Sequence, residues 1–191
     1  MIAILRGITP AEIPMVCDIL YQAGIRLLEI PLNSPEPCQS IAAAVRHCGG
    51  RQLIGAGTVL SPDDVQAAGE AGSEFILSPN TDIEVIQETV RRQLISIPGF
   101  LTPSEGFSAL KAGAHYLKFF PAGQFGVSYL RDLLAVMKAP MLAVGGVTKN
   151  NMPEFLQVCA GVGIGSALYK PGMPLPQIRQ NAEEFCHHSG K

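Results

Sequence analysis

The sequence predicts an α/β fold: a (β/α)8 TIM barrel made by a single domain over residues 1–191. Three observations lead there. Short β-type runs alternate with longer amphipathic runs from end to end. The pairs Ala23-Gly24, Ala71-Gly72, Ala112-Gly113 and Ala160-Gly161 recur about two βα units apart, each ending a helix as a glycine C-cap would. No GxGxxG opens a first helix, so an open doubly wound sheet lacks its usual mark. With 191 residues the barrel is compact, slightly under the common lower limit of about 200.

The elements follow in order. Strands are expected at Ile2–Leu5, Leu27–Ile30, Leu53–Gly55, Phe75–Leu77, Ile95–Ile97, Tyr116–Phe119, Met141–Val144 and Val162–Ile164. Helices are expected near 10–23, 36–47, 62–71, 82–92, 103–112, 127–138, 150–158 and 175–187. Thr9-Pro10, Ser34-Pro35, Ser61-Pro62 and Thr102-Pro103 each set a capping hydroxyl before a proline at the first helical position. Ser61 is followed three residues on by Asp64, a variant of the capping box.

Composition narrows the function classes. The chain is 47% hydrophobic and 16% charged with a net charge of -2, which excludes disorder and argues against broad binding to nucleic acid or anionic lipid. Its apolar runs are far shorter than the ~20 residues that cross a bilayer, and the N-terminus has no signal-peptide pattern. Five cysteines without CxxC spacing (Cys17, Cys38, Cys48, Cys159 and Cys186) fit a reduced, cytoplasmic protein in which all of them are core or helix residues. His47, His115, His187 and His188 form no metal-binding pattern, and the last two are expected in a frayed tail.

In such barrels the chemistry sits where strands run into the following loops. Lys118 stands out there, because it interrupts the apolar strand Tyr116–Phe119, whereas Lys111, Lys138, Lys149, Lys170 and Lys191 fall in helices, loops or the tail. Strand alternation puts Tyr116, Lys118 and Phe120 on one face. Pointing inward, the Lys118 ammonium is partly desolvated and its pKa falls, which suits attack on a carbonyl to form a Schiff base. A strand lysine can also snorkel from a sheet edge to water. Glu29 likewise interrupts Leu27–Ile30, as a proton shuttle for that amine or as its partner in a structural ion pair. Arg6, after the first strand, can hold a carboxylate in bidentate fashion or sit solvated at the rim. Gly145 and Gly146 after one late strand, and Gly165 and Ser166 after the last, suit a phosphate held on backbone N–H groups. Gly55-Ala56-Gly57-Thr58 marks another crowded point, with Thr58 as its polar group.

These residues carry a resemblance to the bacterial 2-keto-3-deoxy-6-phosphogluconate / 2-keto-3-deoxy-6-phosphogalactonate (KDPG/KDPGal) aldolases over almost the whole chain. The matching motifs are Ala3-Ile4-Leu5-Arg6-Gly7, Leu28-Glu29-Ile30-Pro31-Leu32, Gly55-Ala56-Gly57-Thr58-Val59-Leu60, Ser78-Pro79-Asn80, Lys118-Phe119-Phe120-Pro121 and Val144-Gly145-Gly146-Val147. The resemblance implies class I aldolase chemistry on a phosphorylated keto-deoxy sugar acid, without metal or cofactor, in a homotrimer. It further implies Lys118 as the Schiff-base lysine and Glu29 as the general acid/base. By the same resemblance Thr58 and Pro79 line the pyruvate part of the pocket with Phe120 beside them, and Gly145, Gly146 and Ser166 hold the phosphate. Asn33 and Val144 stand where gluconate-type members have Arg and Thr, and Arg6 follows the first strand, so the chain is similar to galactonate-type members with Arg6 on the substrate carboxylate. Family members commonly carry a short helix before the first strand that covers the barrel bottom, whereas this sequence starts at the strand itself. The rival readings are gluconate-type or dual specificity, a phosphosugar isomerase or epimerase, and a non-catalytic sugar-phosphate-binding barrel.

Overall fold

The computed structural model describes residues 1–188. Nine strands among the described residues form one parallel sheet: β1 (Ile2–Ile4), β2 (Leu27–Pro31), β3 (Leu53–Gly57), β4 (Phe75–Leu77), β5 (Ile95–Ile97), β6 (Gly99–Phe100), β7 (Leu117–Phe119), β8 (Met141–Val144) and β9 (Gly161–Ile164). Their order is β5-β4-β3-β2-β1-β9-β8-β7-β6. The two terminal strands, β5 and β6, are separated by Pro98 alone, so they are halves of one barrel strand and the sheet closes on itself. The Lys118 N–H donates to the Pro98 carbonyl at 2.8 Å, and those of His115 and Tyr116 to the Ser96 carbonyl at 3.0 and 3.2 Å, which completes the closure. The expected eight-strand barrel is thus present, with its fifth strand divided. Proline has no N–H to give the ladder, and the register breaks where it stands.

Among the described residues, eight helices fill the connections: α1 (Ile13–Gln22), α2 (Pro37–Cys48), α3 (Pro62–Glu70), α4 (Ile83–Arg91), α5 (Pro103–Lys111), α6 (Ala122–Val136), α7 (Met152–Leu156) and α8 (Leu175–His188). Ser61 and Thr102 cap α3 and α5 through complete capping boxes, with Asp64 and Glu105 as the reciprocal partners. The other two expected caps move. Helix α1 starts after Glu12, and Thr9 instead gives its N–H and hydroxyl to the Glu12 carboxylate at 2.9 and 2.6 Å. Helix α2 starts after Glu36, while the Ser34 hydroxyl accepts from the Gly7 N–H at 2.9 Å and ties the loops after β1 and β2 together. Helix α6 begins ahead of the expected residue 127 and is divided at Gly126, whose backbone is not helical. Gly161 is the first residue of β9 rather than a helix cap, because α7 has already ended at Leu156. His187 and His188 form the last turn of α8 instead of a frayed tail, with the His188 ring against the Glu184 carbonyl at 2.7 Å.

Alternation along the strands sorts the core into two bodies. Ile2, Ile4, Phe75, Leu77, Ile97, Leu142 and Val144, with Leu27 and Phe120 against them, fill the barrel interior. Their strand neighbours Ala3, Leu28, Ile30, Ile54, Ala56, Leu117, Phe119 and Ala143 pack outward against the helices. No described helix is long and apolar enough to cross a membrane.

Candidate active site

Lys118 and Glu29 sit on the inward face of β7 and β2, the same alternation that turns their neighbours Phe119 and Ile30 outward. Both are buried: Lys118 is 6% exposed and Glu29 1%. Burial lowers the Lys118 pKa from the usual ammonium range; Glu29 opposes the shift and Arg6 adds to it. Burial also pushes the Glu29 carboxyl up to about 7, against the pull of Lys118 and Arg6. Glu29 Oε2 has no hydrogen-bond partner among the described residues. The two groups therefore share an electrostatic field without the close pairing of a structural ion pair. The Lys118 ammonium lies 4.9 Å from the centre of the Phe120 ring.

Glu29 has room only because residue 57 has no side chain. A Cβ on Gly57 would lie 1.4 Å from Glu29 Oε1. The next residue, Thr58, adopts a left-handed backbone with φ of 55°, a strained state for a β-branched residue. Its hydroxyl accepts from Arg6 Nη1 at 3.4 Å, and the same guanidinium nitrogen donates to Asn33 Oδ1. Arg6 is thus held across the ends of β1, β2 and β3 rather than left free at the rim. After β8, Gly145 and Gly146 both have positive φ, 87° and 71°. A Cβ on Gly145 would meet the Phe120 ring at 2.8 Å, so this turn and the aromatic ring need each other's space. The Gly123 N–H and the Asn151 amide bind the carbonyls of Gly145 and Gly146 at 2.7 and 3.0 Å and fix the turn.

One cavity of about 510 Å³ at the ends of the strands gathers every residue expected from the sequence: Arg6, Glu29, Thr58, Pro79, Lys118, Phe120, Val144, Gly145, Gly146, Gly165 and Ser166. A groove of about 600 Å³ between α1 and α8 contains none of them. The sequence reading missed Tyr169, Lys170 and Pro171, which also line the cavity. Their signal was position alone, since each follows a strand end by a few residues. No group of three His, Cys, Asp or Glu placed to hold a metal ion occurs among the described residues.

A closed parallel barrel with a desolvated amine, a protonatable carboxyl group and glycine turns at its C-terminal end defines a (β/α)8-barrel enzyme that works on small anionic substrates. Known proteins narrow that class. The family model "Aldolase: KDPG and KHG aldolase" matches residues 1–175. The 2-dehydro-3-deoxy-6-phosphogalactonate aldolase of Escherichia coli (strain K12) is 44% identical over 97% of this chain and 92% of its own. A solved structure described as native KDPGal superimposes with a TM-score of 0.95 at 44% identity, covering 98% of this chain and 92% of that one. KDPG aldolase from Legionella pneumophila, solved with pyruvate captured at low pH as a covalent carbinolamine intermediate, is 25% identical with a TM-score of 0.84, over 98% of this chain and 91% of that one. The chain belongs to the KDPG and KHG aldolase family and is a carbon–carbon lyase.

Proposed function

We propose that the protein cleaves 2-dehydro-3-deoxy-6-phospho-D-galactonate to pyruvate and D-glyceraldehyde 3-phosphate through a Schiff base on Lys118. The observation that carries this reading is the pairing of a buried amine of lowered pKa with a buried carboxyl group raised to about 7 on one cavity. A lysine freed of its proton attacks the C2 ketone, and a carboxyl group that titrates near neutrality both gives and takes protons. Glu29 moves protons as the carbinolamine loses water to the iminium, which then serves as an electron sink. Glu29 takes the proton of the C4 hydroxyl, the C3–C4 bond breaks, and glyceraldehyde 3-phosphate leaves. The enamine takes up a proton, and hydrolysis releases pyruvate and the Lys118 amine. Because the amine supplies the sink covalently, the cycle requires no cofactor.

Arg6 binds the substrate carboxylate, held in position by Asn33 and Thr58. Thr58 and Pro79 line the pyruvate half with Phe120 beside them, Val144 faces the C4 region, and Gly145, Gly146, Gly165 and Ser166 take the phosphate. The preference for the galacto substrate rests on Asn33 and Val144, and on 44% identity to a relative named for that substrate against 25% to the KDPG aldolase. The whole chain acts as one barrel domain, in a cytoplasmic homotrimer that light scattering can test. Borohydride reduction with pyruvate is expected to attach a pyruvyl group to the Lys118 peptide. Absence of that adduct would remove the aldolase mechanism and favour an isomerase, an epimerase or a binding protein. Pyruvate release from the two C4 epimers is expected to favour the galacto form by about tenfold or more; equal or reversed rates would make the protein dual-specific or gluconate-type.

A further inference from the structure

Among the described residues three cations line the cavity, Arg6, Lys118 and Lys170, against a single carboxyl group, Glu29. Two of them are already engaged: Arg6 is bonded to Asn33 and Thr58, and Lys118 is buried in the barrel. Lys170 is exposed to solvent on the cavity wall, and no described acidic side chain forms an ion pair with it.

The backbone around Lys170 is tethered on both sides. Tyr169, before it, is 2% exposed, and its hydroxyl donates to Glu12 Oε1 at 3.4 Å. The Tyr169 N–H donates to the Gly165 carbonyl at 3.1 Å, which joins this stretch to the turn that carries Ser166. Pro171, after it, lies so close to the loop following β1 that a Cβ on Gly7 would be 2.5 Å from Pro171 Cγ. Lys170 therefore rides on a strap fastened to the loops after β9 and β1, beside the glycine turns. Backbone N–H groups offer only partial charges to a dianionic phosphate, whereas an ammonium on the same wall offers a full charge.

We infer that Lys170 is a specificity-determining residue of this site, binding the phosphate group of the substrate and setting the preference for phosphorylated over unphosphorylated sugar acids. This rests on the function proposed above. Wild type, Lys170→Ala and Lys170→Arg are compared by the ratio of kcat/KM for the 6-phosphorylated substrate to kcat/KM for its unphosphorylated counterpart. The ratio is expected to fall about tenfold in Lys170→Ala, mainly through KM, and to recover in Lys170→Arg. An unchanged ratio overturns the assignment, including the case in which both rates fall together as a purely structural role would require. Calorimetric titration with glycerol 3-phosphate reads the same contact without turnover. Lys170→Ala is expected to bind it about tenfold more weakly, and equal affinity overturns the assignment. If wild type binds glycerol 3-phosphate but traps no pyruvate on Lys118, the aldolase reading falls, while the titration still decides the role of Lys170.

Discussion

At the scale of single residues, the reactivity of the site comes from what surrounds each group. Lys118 and Glu29 are ordinary side chains moved out of water, and burial is the largest influence on both. The position of the Glu29 carboxyl depends in turn on a missing side chain at Gly57. Gly57→Ala is expected to lower kcat by about 100-fold while leaving the far-ultraviolet circular dichroism native, because a displacement of about 1 Å is enough to misalign a proton transfer. Steady-state pyruvate release checks it, and near-normal turnover would mean that Glu29 acts from elsewhere. Lys118 and Glu29 were legible in the sequence because a lone charge in an apolar strand is conspicuous. The reason for Gly57 was not, since it depends on two inward-facing residues of neighbouring strands meeting side by side. Lys170 was not legible either, as an exposed lysine in a loop looks like any other.

At the scale of elements, local signals were read correctly where the deciding contacts are local. Ser61 with Asp64 and Thr102 with Glu105 form their capping boxes within one turn of chain. Thr9 and Ser34 carried the same Ser/Thr-Pro signal but lie four and three residues before their helices, held by contacts to Glu12 and Gly7. The Ser34 contact joins two barrel loops far apart in sequence, which no short-range pattern reveals. The divided fifth strand is similar: Pro98 was visible, but that both halves pair depends on β4 and β7 standing on either side. The capping difference has a measurable consequence. Thr102→Ala is expected to destabilise the protein by about 1 kcal/mol in urea unfolding, with the m-value unchanged. No loss would show that the α5 box is energetically idle.

At the scale of the whole molecule, the carboxyl group that serves the chemistry works against the fold. The barrel interior around Glu29 is apolar, and the pull of Lys118 and Arg6 offsets only part of the cost of ionising it there. In the folded protein Glu29 keeps its proton up to about pH 7, whereas its ordinary value is 4.5. Between those values the unfolded chain binds fewer protons than the folded one, so stability falls as pH rises through the window. The shift corresponds to about 3 kcal/mol between pH 4 and pH 8. Glu29→Gln keeps the shape and removes the titration. The variant is expected to match wild type near pH 4.5, to be more stable by up to about 3 kcal/mol at pH 8, and to lose most turnover. Urea titrations of both proteins across that range check it. Parallel stability curves would show that Glu29 ionises as freely in the fold as in water, and the proton shuttle assigned to it would lose its physical basis.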